Sequence, residues 1–369
     1  MTMLATHSKE MSLLDKAAHD FSRKMLFPQR EASDTFPFGP FFQPALDQAF
    51  DLDFFHMTIP EDAGGLGQGI TALCVLLENI CTEDSSLGGI IFTHSAAVSL
   101  MMAAKARTEL AAIASEKTLM ALPVFINPLD QDTLPQAVKS HDDFKLTGTL
   151  DYLVLGGLAK QALIPARTDD NLAYSWFLVN LPQASVKASA PILSLGLHAC
   201  PAVDVVLDGA SARLIGGEDQ GDALFTAMAD RMHTAAAAMS LGIMKGSFKE
   251  AMAYAKKREQ GGRKIIGWSE MQMILGTMAI QVKVADLIVS RTSTAADQEE
   301  KDWPQCSRAA AIHVQSLACD LATDGVQAMG GVGYMKDFGQ EKRFRDAKQL
   351  QALLGMAPLK KIRFLEDLL

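Results

Sequence analysis

The chain has 369 residues, 49% of them hydrophobic, enough to bury a large core and to form two or three structural regions. Its formal net charge of −9, with an isoelectric point near 5.4, argues against a nucleic acid or an anionic membrane surface as the main partner. The five cysteines (Cys74, Cys81, Cys200, Cys306, Cys319) show no metal-ligand spacing, so reduced thiols and no metal site are expected. Met1 to Lys16 lacks an apolar signal core, which reads as cytoplasmic, and charges interrupt the Ala-rich segments, so no membrane span is expected.

Residues 1–117 read as an N-terminal helical domain. Met11 to Arg23 is amphipathic at helical spacing and Pro28 closes it. The Pro/Phe-rich loop DTFPFGPFFQP follows, and then the glycine turn PEDAGGLG at Pro60 to Gly67. Ile70 to Thr82 and Leu87 to Ala104 read as buried helices, with His94 as a packed histidine among apolar neighbours.

Residues 118–220 carry short alternating runs: LMALPVFIN, FKLTGTLDYLVLG, KQALIPAR, SWFLVNLP and ACPAVDVVLDG. Such runs, set between helical regions, predict a small β-barrel or sandwich. Residues 221–369 read as a C-terminal helical bundle. Ala223 to Arg258 is long enough to suggest more than one helix; Glu270 to Thr292 and Trp303 to Ala328 add two more. The fold class is therefore α+β, helices on either side of a small β domain.

The most informative stretch is Asp320 to Leu369. It contains Gln327, the glycines Gly330, Gly331 and Gly333, and the charged run Glu341-Lys342-Arg343-Phe344-Arg345-Asp346-Ala347-Lys348. Gly-Gly-x-Gly alone suits a tight turn between helices or close approach to another chain or ligand. The ordered whole resembles the C-terminal signature of the acyl-CoA dehydrogenase family. The loop at Pro60 to Gly67 is similar to a second family motif, and Lys256 to Ile266 to a third. The order helices, β domain, helices is also that family's.

The resemblance implies FAD as cofactor, an acyl-CoA thioester as substrate, an electron-transferring flavoprotein as a partner and a homo- or hetero-oligomer. Arg258 matches the arginine that contacts the FAD pyrophosphate, a role suited to a guanidinium. Gln327 and Gly331, with Gly330 beside them, match contacts made across a subunit interface. Tyr152 stands where an aromatic residue lies along the flavin ring.

Departures from the family pattern are as telling. Gly261 replaces an aromatic residue and Ser269 a glutamine; the loop FINPLDQD at Phe125 to Asp132 keeps only Pro128 of its motif. Leu354 occupies the position of the catalytic glutamate, and leucine cannot accept a proton. Met356 replaces a threonine. Some relatives carry the base on the helix after the β domain; Met232 falls there, with Asp230 and His233 nearby and Asp230 as the candidate carboxylate. Three functions remain open: a dehydrogenase-like oxidoreductase with a non-standard base, a catalytically silent subunit, or a structural homologue without flavin.

Overall fold

The computed structural model describes residues 8–35, 41–141, 143–168 and 173–369. Residues 36–40 of the Pro/Phe-rich loop lie outside them. Helix α1 (Lys9–Phe21) starts at Ser8, whose hydroxyl accepts the Met11 N–H at 3.1 Å, and runs into a π turn, Ser22–Leu26. Five helices follow: α2 (Arg30–Ser33), α3 (Gln43–Asp51), α4 (Ile70–Glu83), α5 (Ser85–Ala103) and α6 (Arg107–Ser115). The glycine turn before α4 is folded on itself. A Cβ on Gly65 would lie 2.2 Å from the Ile59 carbonyl oxygen, so no larger residue fits.

The middle region is one mixed sheet: β1 (Met120–Ala121), β2 (Gln136–Ser140), β3 (Asp143–Val154), β4 (Gln161–Ala166), β5 (Ser175–Asn180), β6 (Val186–Ala188) and β7 (Ala202–Ile215). Its order is β1–β4–β5–β7–β3–β2, with β6 also on β7. Every pairing is antiparallel except β1 with β4. Bridges from Gln136 to Arg167 and from Leu122 to Val154 curl the sheet towards closure. Gly221 N–H donates to the Tyr174 carbonyl at 2.8 Å and Trp176 Nε1 to the Gly221 carbonyl at 3.0 Å, fixing the sheet to the next helix.

That helix, α7 (Gly221–Lys257), is continuous, against the expectation of more than one. Its glycines are crossing points and not breaks. A Cβ on Gly242 would sit 2.4 Å from the Glu78 carbonyl oxygen, and one on Gly246 2.3 Å from that of Thr82, so α4 lies directly on α7. After the hairpin β8 (Glu259–Gln260) and β9 (Arg263–Lys264) come α8 (Ser269–Asp297), α9 (Trp303–Met329), α10 (Gln340–Leu350) and α11 (Ala357–Glu366). Asp297 at the end of α8 caps α4, accepting the N–H groups of Ile70 and Thr71 at 2.7 and 3.0 Å.

Two helices are long and apolar enough to cross a membrane by length and composition, which the sequence reading did not anticipate. Helix α5 is core, its apolar window 83% buried. Helix α8 has a window only 33% buried and exposes Met273, Ile280, Val284 and Leu287.

Candidate functional site

Two cavities gather some of the residues singled out in the sequence. The first, of about 480 Å³, is lined by Arg258, Gln327 and Gly330 together with Tyr254, Gln260, Gly261 and Trp268. Arg258 ends α7 in extended conformation, and its side chain makes no ion pair among the described residues. The hairpin beyond it turns at Gly261 (φ +65°) and Gly262 (φ +80°), a left-handed pair typical of two-residue hairpin loops. A Cβ on Gly261 would fall 2.9 Å from Trp268 Cζ2. The Trp268 indole thus takes up space beside the missing aromatic side chain. Its Nε1 donates to the Gln260 carbonyl at 3.2 Å, and the Arg263 guanidinium covers its ring at 3.6 Å.

Gly330 closes α9 with φ +61°, and a Cβ on Gly330 or Gly331 would meet nothing within 4 Å. A free guanidinium, an amide side chain and uncovered glycine backbone suit an anionic group such as a diphosphate. A neighbouring cavity of about 670 Å³ shares Tyr254, Arg258 and Met329 and extends the groove past Lys257 and Arg23.

The second cavity, of about 280 Å³, brings together Leu354, Asp230 and His233 with Arg308, Lys360, Arg363 and Asn127. Leu354 is buried and holds φ +60°, a strained backbone for a leucine, with its N–H donating to the Val124 carbonyl at 2.6 Å. Met232 points into the core. Asp230 is engaged by Arg308 at 2.9 Å, and Arg308 also pairs with Asp367; Arg363 pairs with Asp130.

Lys360 Nζ donates to Gln315 Oε1, the Gln351 carbonyl and the Leu353 carbonyl at 3.1, 3.0 and 2.8 Å. Burial pushes its pKa down to about 7. Three oxygen acceptors nevertheless match the three N–H bonds of an ammonium, which anchors the turn that carries Leu354. His233, by contrast, makes no hydrogen bond of normal geometry at either ring nitrogen among the described residues. Burial first, then the charges of Lys360 and Arg308, push its pKa well below the usual value; the Ala229 carbonyl pulls weakly the other way.

Tyr152 belongs to neither cavity. Its ring stands edge-on to Phe125 at 5.5 Å, and its hydroxyl accepts Gln349 Nε2–H at 2.8 Å. Met356 is exposed. His94 is packed as expected, but among the described residues neither ring nitrogen makes a hydrogen bond of normal geometry, and burial pushes its pKa down to about 3. Among the described residues no cluster of His, Cys, Asp and Glu could hold a metal ion.

Residues 8–112 match the description "Acyl-CoA dehydrogenase, N-terminal domain", and residues 219–358 match "Acyl-CoA dehydrogenase, C-terminal domain". The chain is 26% identical over 325 residues to a cyclohex-1-ene-1-carbonyl-CoA dehydrogenase of Syntrophus aciditrophicus, covering 84% of this chain and 78% of that one. It is 23% identical over 360 residues to a caffeyl-CoA reductase-Etf complex subunit of Acetobacterium woodii, covering 92% and 93%. The butyryl-CoA dehydrogenase of Megasphaera elsdenii superposes with a TM-score of 0.89 at 22% identity, covering 98% of each chain, and so shares the fold. The chain belongs to the acyl-CoA dehydrogenase family, FAD-dependent oxidoreductases whose members act on acyl-CoA.

Proposed function

We propose that this protein is a cytoplasmic FAD-dependent oxidoreductase acting on the CH–CH group of an acyl-CoA thioester, with a base other than the usual glutamate. The observation that carries this reading is the convergence of Arg258, Gln327 and Gly330 on one open cavity. In this reading Arg258 holds the FAD pyrophosphate, Gln327 and the Gly330–Gly331 backbone flank it, and Tyr152 faces the ring. Bound FAD supplies a two-electron acceptor for hydride. The chain divides into units 1–117, 118–220 and 221–369, the last carrying both cavities' helices.

The test is a visible absorption spectrum of the purified protein, followed by anaerobic addition of acyl-CoAs. A flavin band that bleaches is expected. A colourless protein that co-purifies with no homologue points instead to a structural homologue.

A second reading is favoured by Leu354: a catalytically silent subunit that completes a partner's site. The exposed apolar face of α8 supplies a surface for such an assembly, with a second copy or with a homologous chain. The Acetobacterium woodii relative is named as part of an Etf complex, which makes an electron-transferring flavoprotein the natural electron acceptor to try. A flavin band that no acyl-CoA bleaches, in a protein that co-purifies with a homologue, supports this reading.

A further inference from the structure

The polar side chains around the second cavity differ in how far they are already committed. Asp230 is held by Arg308, Arg363 by Asp130, and all three Nζ–H bonds of Lys360 are used. The Lys360 ammonium therefore offers no lone pair, and Asp230 has one carboxylate oxygen tied up in its ion pair with Arg308. His233 is only 4% exposed, lines the same cavity as Leu354, and beyond a weak interaction with the Ala229 carbonyl makes no hydrogen bond of normal geometry at either ring nitrogen among the described residues. A buried imidazole left without such a bond is an unfilled hydrogen-bonding demand that a ligand can meet.

We propose that His233 is the general base of this site, taking the α-proton of a thioester seated in the cavity beneath Leu354. The proposal rests on the acyl-CoA reading above and adds the residue that reading lacks. In the step, the Cα–H bond breaks and its proton passes to a free ring nitrogen, giving an imidazolium. The bonding pair stays on carbon and spreads into the thioester carbonyl as an enolate. Reversal returns a proton from the ring, so no oxidant is consumed.

The charged groups that line the cavity with His233 come from several elements: Asp222 and Asp230 on α7, Arg308 on α9, and Lys360, Arg363, Glu366 and Asp367 on or just beyond α11. Burial first, then Lys360 and Arg308, keep the ring neutral, which is its proton-accepting form. Asp230, three residues earlier on the same helix, is the anion nearest in sequence to the imidazolium once formed.

The experiment is α-proton exchange in D2O, read by mass spectrometry, with butyryl-, octanoyl- and cyclohexanecarbonyl-CoA as probes and calorimetry to follow their binding. It needs no flavin turnover. Wild-type protein is expected to exchange, and His233→Gln to lose about 100-fold or more of the rate while still binding. Adding Leu354→Glu to His233→Gln is expected to restore exchange. The wild-type rate should stay flat from about pH 6 to 8, because a base whose pKa lies well below this range is neutral throughout.

Undiminished exchange in His233→Gln overturns the proposal, as does a rate rising through about pH 7, which assigns the proton to Lys360. Exchange by Leu354→Glu but not by wild type overturns His233 while leaving the acyl-CoA site standing. No binding and no exchange in any variant overturns both.

Discussion

His198 Nδ1 lies 3.2 Å from Asp34 Oδ1 and 2.8 Å from the Asp34 carbonyl oxygen, joining the end of α2 to the loop between β6 and β7. Its Nε2 lies 3.0 Å from the Ser194 carbonyl oxygen, so both ring nitrogens face acceptors and the imidazolium is the form that satisfies them. Arg345 on α10 grips the same carboxylate. Three parts of the chain therefore meet at Asp34.

The pH dependence of this junction follows from the two shifts. Hydrogen bonding to Asp34 raises the His198 pKa, so its contribution is complete below the ordinary histidine range and is lost as pH rises through the raised value. Burial works against the Asp34 charge, but His198, Lys342 and Arg345 together hold its pKa well below the usual carboxylate range. Its contribution is present above about pH 4 and is lost as pH falls through the lowered value. The stability gap between wild type and His198→Gln, measured by urea unfolding, is expected to be widest below about pH 6.5 and to narrow above it. A gap that widens with rising pH contradicts this assignment.

Arg258→Ala tests the first cavity. Arg258 is exposed and carries no ion pair among the described residues, so its loss should leave the circular dichroism spectrum and melting temperature unchanged. A charge-assisted contact to pyrophosphate is worth about 1.5–3 kcal/mol, so FAD should bind roughly 10- to 100-fold more weakly. Flavin content equal to wild type after dialysis removes Arg258 from the site.

Lys342 is a buried cation on α10, 2.7 Å from Asp346 and 3.8 Å from Asp84. Asp346 also accepts the Leu197 N–H at 2.8 Å. Lys342→Met leaves two buried carboxylates uncompensated, and a loss of about 3–5 kcal/mol is expected in denaturant unfolding. A change below about 1 kcal/mol shows that water already solvates the pair.

Met273, Ile280 and Leu287 recur every seven residues along α8 and are all exposed, with Val284 between the last two. Ile280→Glu puts a charge in the middle of that stripe. Light scattering is expected to show a shift from oligomer towards monomer, with the fold retained. An unchanged mass places the assembly surface elsewhere.

The family was legible because its glycines and charged run are local. Gly330 needs its positive φ, and Arg343, Arg345 and Asp346 sit in one helix. The length of α7 was misread because so long a run suggests more than one helix; what keeps it whole is its packing, with the α4 backbone lying directly on Gly242 and Gly246. The free state of His233 was likewise hidden. It depends on Arg308 being spent on Asp230 and Asp367, and on Lys360 being spent on three oxygens from α9 and the turn after α10. Such exhaustion of partners is a property of the assembled packing.

The unbroken run of α7 carries His233 in one half and Arg258 at its end. Along a helix axis these residues are separated by roughly 37 Å. Paired chains could therefore complement one another. A chain with Arg258→Ala and a chain with His233→Gln, each deficient alone, would regenerate one intact centre when mixed if every working centre draws its two halves from different chains.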